Sequence, residues 1–105
     1  MPSLRRYRTR IRLTFLGGTL PPDSYQALAD AVRGAAPGDV SCAVSTDAYD
    51  AFVVTAAVRA ANPLDALTGT DAALTRALLS TGLFEEFDVS GRVLYSGPAE
   101  LVGGE

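Results

Sequence analysis

The stretch Tyr7-Arg8-Thr9-Arg10-Ile11-Arg12-Leu13-Thr14-Phe15 changes character at every residue. Tyr7, Ile11, Leu13 and Phe15 share one side, with Thr9 as its one polar member. Arg8, Arg10, Arg12 and Thr14 share the other. A repeat of two residues is that of a β-strand, whose side chains point alternately to opposite faces. The pattern therefore predicts a first strand over Tyr7–Leu16, buried on one face, with three guanidinium groups in a row on the uncovered one.

The segment after this strand is punctuated. Gly17-Gly18 ends the strand, and Pro21-Pro22-Asp23 opens a helix, because proline is tolerated in a first turn and an acid there complements the helix dipole. Tyr25, Leu28, Ala29 and Val32 fall on one helical face. Gly34 is read as a left-handed stop, with Pro37-Gly38 as the turn beyond it. Asp39–Thr46 reads as a second strand and Asp47-Ala48-Tyr49-Asp50 as its hairpin connection. Ala51–Ala61, nearly all apolar, reads as a central third strand. Asn62-Pro63-Leu64-Asp65 has the order of a capped helix start. That helix is expected to reach Thr81 with Leu64, Leu67, Leu74 and Leu78 on one face, and Gly69-Thr70-Asp71 is where it could break. Thr81-Gly82-Leu83 has the order of a Schellman ending. Phe84–Tyr95 reads as a fourth strand, with Phe87, Val89, Val93 and Tyr95 inward, Glu86, Asp88, Ser90 and Arg92 outward, and a bulge at Gly91.

The length of 105 residues suits one domain, with residues 7–95 as its folded core and 1–6 and 96–105 as flexible ends. No apolar run reaches the length of a membrane span, and no signal-peptide core follows the basic N-terminus, so a cytoplasmic location is expected. All nine basic residues are arginine, a bias typical of a GC-rich genome, which weakens arguments from arginine alone. Charge is unevenly placed: residues 1–12 carry five arginines and no acid, and the rest of the chain carries four arginines and twelve acids. A basic strand against an acidic body points to internal ion pairing or to an acidic partner.

The element order, β-α-β-β-α-β, resembles the ferredoxin-like fold over residues 7–95, in architecture rather than in motif. The resemblance implies an α+β sandwich: a four-stranded antiparallel sheet in the order 4-1-3-2, with both helices on one face. The open face would then carry Arg8, Arg10 and Arg12 from strand one and Glu86, Asp88 and Arg92 from the neighbouring strand four, forming cross-strand ion pairs. These six are the candidate partner-binding residues. A solvated face that neutralises itself is the plainer alternative.

Little else in the sequence carries chemistry. There is no histidine, and Cys42 is the lone cysteine, so neither a zinc site nor a disulfide can be assembled within the chain. Cys42 is read as a small buried hydrophobe. No metal or cofactor is expected, and no catalytic constellation is found. Gly17 and Gly18 stand where phosphate-cradling loops occur, but without the dinucleotide or P-loop pattern. With Pro21-Pro22-Asp23 they resemble, in outline, the loop of ACT-type amino-acid-sensing domains, which makes Gly17 and Gly18 candidate ligand-binding residues. RNA recognition modules share the topology, but strand one offers arginines instead of stacking rings, and an overall charge of −3 argues against phosphate. The sequence reading ranks first a non-enzymatic interaction module that self-associates, as a dimer or higher, or joins a larger assembly through its arginine face. An ACT-like small-molecule sensor comes second. A dimeric α+β barrel enzyme and an RNA-binding module rank below both.

Overall fold

A computed structural model describes residues 4–36, 38–44 and 50–98. Its elements are β1 (Arg5–Thr14), α1 (Pro22–Ala35), β2 (Asp39–Val44), β3 (Ala51–Ala60), α2 (Pro63–Thr81), a single 3₁₀ turn at Phe84–Glu86, and β4 (Val93–Pro98). The expected chain ends at 1–3 and 99–105, the turn residue Pro37, the end of the second strand at Ser45-Thr46 and the Asp47–Tyr49 part of the hairpin lie outside the described residues.

The four strands form one antiparallel sheet in the order β2-β3-β1-β4. Read from the other edge this is 4-1-3-2, and the α+β arrangement is compatible with ferredoxin-like architecture. The alternation of β1 is realised along its length: Tyr7, Thr9, Ile11 and Leu13 are buried, and Arg6, Arg8, Arg10, Arg12 and Thr14 are exposed. The strand starts two residues earlier than expected, taking in Arg5 and Arg6, and ends two earlier, at Thr14; Phe15, just beyond it, makes an isolated bridge to Phe87.

Both helices pack on the same core. Leu28, Ala29 and Val32 of α1 and Leu74, Ala77 and Leu78 of α2 meet Ile11, Leu13, Phe52 and Val54 of the sheet. The core aromatics are Phe15, Phe52 and Phe87, with Tyr25 at its margin. Successive pairs meet edge-on or tilted at ring separations of 5.4–6.4 Å. A smaller second cluster of Tyr7, Ala56, Val58, Ala60 and Ala66 extends the core toward the other end of β1. Between the two clusters sits a buried polar pair. The hydroxyls of Thr9 and Thr70 are 2.8 Å apart, and Thr70 also donates to the Ala66 carbonyl at 3.1 Å. Thr9 donating to Thr70, and Thr70 to Ala66, satisfies both hydroxyls with one proton each.

The start of α2 follows the sequence closely. Asn62 caps it, its Oδ1 accepting from the Asp65 amide at 2.8 Å, and Pro63 takes the first turn. The end is the Schellman arrangement: Gly82, at φ 74°, donates to Leu79, and Leu83 donates to Leu78.

Two local expectations, at Gly34 and Leu64, fail for physical reasons, and the alternative left open at Gly69-Thr70-Asp71 resolves to an unbroken helix. Gly34 does not stop α1. The helix continues through Ala35, and Ala36 leaves it with extended backbone and its N–H bonded to Val32, so no left-handed residue is needed. The Gly69-Thr70-Asp71 stretch does not break α2, because Thr70 is turned to the sheet and held there by Thr9. Leu64 is 69% exposed, and the buried stripe of α2 runs instead through Ala66, Thr70, Ala73, Leu74, Ala77 and Leu78. Small residues on that stripe let the helix lie close to the sheet.

The fourth strand is the main correction. Phe84–Glu86 is a 3₁₀ turn, Phe87 alone bridges to Phe15, and the chain then leaves the sheet at Ser90-Gly91 before returning as β4 at Val93. The excursion is pinned at its base, where Asp88 accepts from the Gly91 amide at 3.1 Å and from the Ser90 hydroxyl at 3.3 Å. It is pinned at its exit by Arg92, which grips Asp71 of α2 through Nε at 2.9 Å and Nη2 at 3.0 Å and donates to the Val89 carbonyl at 2.8 Å. The return resets the phase. Val93 and Tyr95, expected inward, pair with Arg12 and Arg10 and stand on the open face.

Candidate functional site on the open sheet face

The strand register arranges the open face in rows. Across the sheet from β2 to β4 they run Asp39-Ala57-Arg8-Gly97, Ser41-Thr55-Arg10-Tyr95 and Ala43-Val53-Arg12-Val93. A further pair, Arg59-Arg6, lies beyond the first row. Residues two apart on a strand are separated by about 6.6–6.8 Å, so Arg6, Arg8, Arg10 and Arg12 form a line of cations at that spacing, with Arg59 beside one end.

Arg8, Arg10 and Arg12 thus stand where the sequence places them. Glu86, Asp88 and Arg92 do not join them. Glu86 lies in the 3₁₀ turn, Asp88 holds the excursion, and Arg92 is spent on Asp71 of α2. The cross-strand neutralisation expected from strand four is therefore missing. Among the described residues the open face carries five arginines and one acid, Asp39, and none of those arginines is in an ion pair with a described residue. Between described residues, the ion pairs Arg33–Asp30 and Arg92–Asp71 belong to helices and to the excursion.

Sequence reasoning missed the other half of this surface. Val93 and Tyr95 flank Arg8, Arg10 and Arg12 around a groove of about 390 Å³. Tyr95 is 52% exposed, and its hydroxyl lies over Gly97, where any Cβ would collide with the phenol. Gly97 therefore lets the ring lie down along β4, with its flank toward the groove. Val53, one row neighbour inward of Arg12, is buried although neither α1 nor α2 covers this side. Long arginine stems can shield apolar sheet surface while their heads stay in water. The signal that could have placed Tyr95 was Ser90-Gly91, a turn dipeptide inside the supposed strand, which breaks the count of two.

The remaining sequence candidates stand apart from this face. Gly17 and Gly18 form the exposed turn after β1, and Gly18 takes a left-handed φ of 94° there. A depression that includes Leu16, next to that turn, is lined also by Phe84, Phe87 and Val89 among others, and by neither glycine. Cys42 is half-buried on the helix side of β2. Desolvation pushes its thiol above the ordinary value, partly offset by the positive charge of Arg33, which leaves it poorly suited to act as a thiolate. Among the described residues no three acidic or cysteine side chains gather as a metal cluster, and no helix is long and apolar enough to cross a membrane.

Comparison of the chain with protein-family models, with curated proteins and with solved structures returned no match.

Proposed function

We propose that this domain is a non-enzymatic docking module whose open sheet face receives an acidic segment of a protein partner. The observation that carries the reading is the line Arg6-Arg8-Arg10-Arg12 with Arg59, unpaired among the described residues and bordered by an apolar groove at Val93 and Tyr95. Guanidinium groups engage carboxylates through two parallel hydrogen bonds, which makes such a row selective for acids in an extended chain. The groove beside it suits one apolar or aromatic anchor of the same segment. Stacking this face on its own copy would oppose like charges, so an acidic partner is the favoured occupant.

Single-stranded nucleic acid is the second reading, and the position of Tyr95 favours it, because bases stack on exposed rings beside cations. It ranks behind the first. Successive bases need successive rings to stack on, and Tyr95 is the one aromatic ring on this face among the described residues.

Fluorescence anisotropy decides between them. A labelled glutamate-rich peptide with one tyrosine and a labelled oligothymidylate are titrated with the protein at low and moderate salt. The reading expects the peptide to bind more tightly, with affinity falling as salt rises. Arg8→Thr/Arg10→Thr/Arg12→Thr should abolish binding and Tyr95→Ala should weaken it. Tighter binding of the oligonucleotide transfers the face to the second reading. Peptide binding that survives the triple substitution removes the face from both.

A further inference from the structure

The two edges of the sheet differ in chemistry. β2 carries Asp39 near its start and small polar or apolar residues after it. β4 carries no charge in Val93-Leu94-Tyr95-Ser96-Gly97-Pro98, and its three large side chains are 62%, 41% and 52% exposed. An edge strand presents a row of unpaired backbone groups, and proteins protect such edges with charges, prolines or bulges. The β4 edge has none of these before its last residue, Pro98.

We infer that β4 pairs edge to edge, antiparallel, with β4 of a second copy of this chain. A strand that fits this edge must be short, apolar and free of charge, and β4 itself meets each requirement. A two-fold axis perpendicular to the sheet sets β4 antiparallel to its copy and keeps each residue on its own face. The product is a continuous eight-stranded sheet with all four helices on one side. It involves no contact between the arginine rows, in contrast to face-to-face stacking.

The pairing also finishes the groove. In one copy Val93 and Tyr95 form its outer wall at the very edge of the sheet. The second copy sets its own Val93 and Tyr95 against that edge on the same face. A shared apolar seam then lies between two arginine rows, which are three strand spacings, about 14–15 Å, apart. This inference does not depend on what the arginines bind.

Sedimentation velocity and light scattering test it. The chain is expected at twice its 10.9 kDa mass, at low and at high salt alike, because the seam is uncharged. Leu94→Lys and, separately, the more exposed Val93→Lys should each halve the mass without changing the circular dichroism spectrum. Ser41→Lys on the β2 edge should leave the mass doubled. Hydrogen exchange of the unaltered chain needs no variant: the β4 amides should gain protection as concentration rises. A single-chain mass overturns the inference. So does a doubled mass that survives folded Val93→Lys, that Ser41→Lys halves, or that dissolves on adding salt.

Discussion

β1 lies between two unlike environments. On one side Tyr7, Thr9, Ile11 and Leu13 are buried under α1 and α2, and on the other Arg8, Arg10 and Arg12 stand in water two residues apart. Every second side chain of one short segment thus belongs to the core, and the residues between belong to a surface. The contrast separates two kinds of requirement. The inner side must fill space and satisfy hydrogen bonds, and errors there cost stability. The outer side must present charge at a regular spacing, and changes there should cost recognition but little stability. Substitutions on either side sharpen or break that division.

The largest effect is expected on the inner side. Phe52 pairs with Leu13, is fully buried, and packs its ring against Tyr25 and Phe87. Phe52→Ala removes a ring at the centre of the core and should destabilise by about 3–5 kcal/mol. Urea denaturation followed by circular dichroism checks it. A loss below about 1 kcal/mol would mean that this core collapses around the cavity, at odds with the close packing of protein interiors.

The buried hydroxyl pair gives the next effect and a sharper test. Thr70→Val leaves Thr9 with only a long contact to the Ala56 carbonyl, 3.4 Å, and should cost about 1–3 kcal/mol as an unsatisfied buried donor. Thr9→Val should cost less, since Thr70 keeps its bond to Ala66. The double substitution should be less damaging than the two single losses added together, because it removes both polar groups at once. Additive losses in a double-mutant cycle would show that the two hydroxyls do not depend on each other.

A smaller effect is expected where the chain leaves the sheet. Arg92→Ala removes both hydrogen bonds to Asp71 and the one to Val89. The pair is partly exposed, so its loss should cost about 1 kcal/mol. Its local consequence should be larger: faster hydrogen exchange at Ser90 and Gly91, while β1 and β3 keep their protection. Uniform loss of protection would mean that the excursion is an integral part of the fold.

The same division explains which features could be read in the sequence. The alternation of β1, the Asn62-Pro63 helix start and the Gly82 ending each depend on residues within a few positions of one another, and all three form as the sequence implies. The strand order agrees with the architecture that the element order suggested. The fate of Arg92 depends on Asp71, 21 residues away, and nothing local announces that partner. That pair lies where the excursion ends, and β4 returns from it with Val93 and Tyr95, in place of Glu86 and Asp88, beside the arginines. The sequence thus showed the cationic half of the candidate site. It hid the apolar half, because an excursion holding a turn dipeptide and a long-range ion pair interrupts the alternation before β4. Thr9 was visible as a polar residue on an apolar face, and its partner was hidden on α2 for the same reason.

The smallest stability effect is expected from the change that should matter most to binding. Arg8→Thr/Arg10→Thr/Arg12→Thr removes three exposed cations from a face where they have no described ionic partner. Threonine keeps the β-branched preference for strands, and single surface changes of this sort stay within about 0.5 kcal/mol. Two opposing terms should keep the sum small. Losing the arginine stems uncovers apolar surface around Val53, which destabilises, and losing three like charges at about 6.6–6.8 Å spacing relieves repulsion. The second term is screened by salt and the first is not. The triple variant should therefore gain stability relative to the parent at low salt and lose that advantage as salt rises. Denaturation curves for both chains at two ionic strengths read this directly. A salt-independent loss of several kcal/mol would place these arginines in the architecture of the sheet, and the two sides of β1 would then no longer divide stability from recognition.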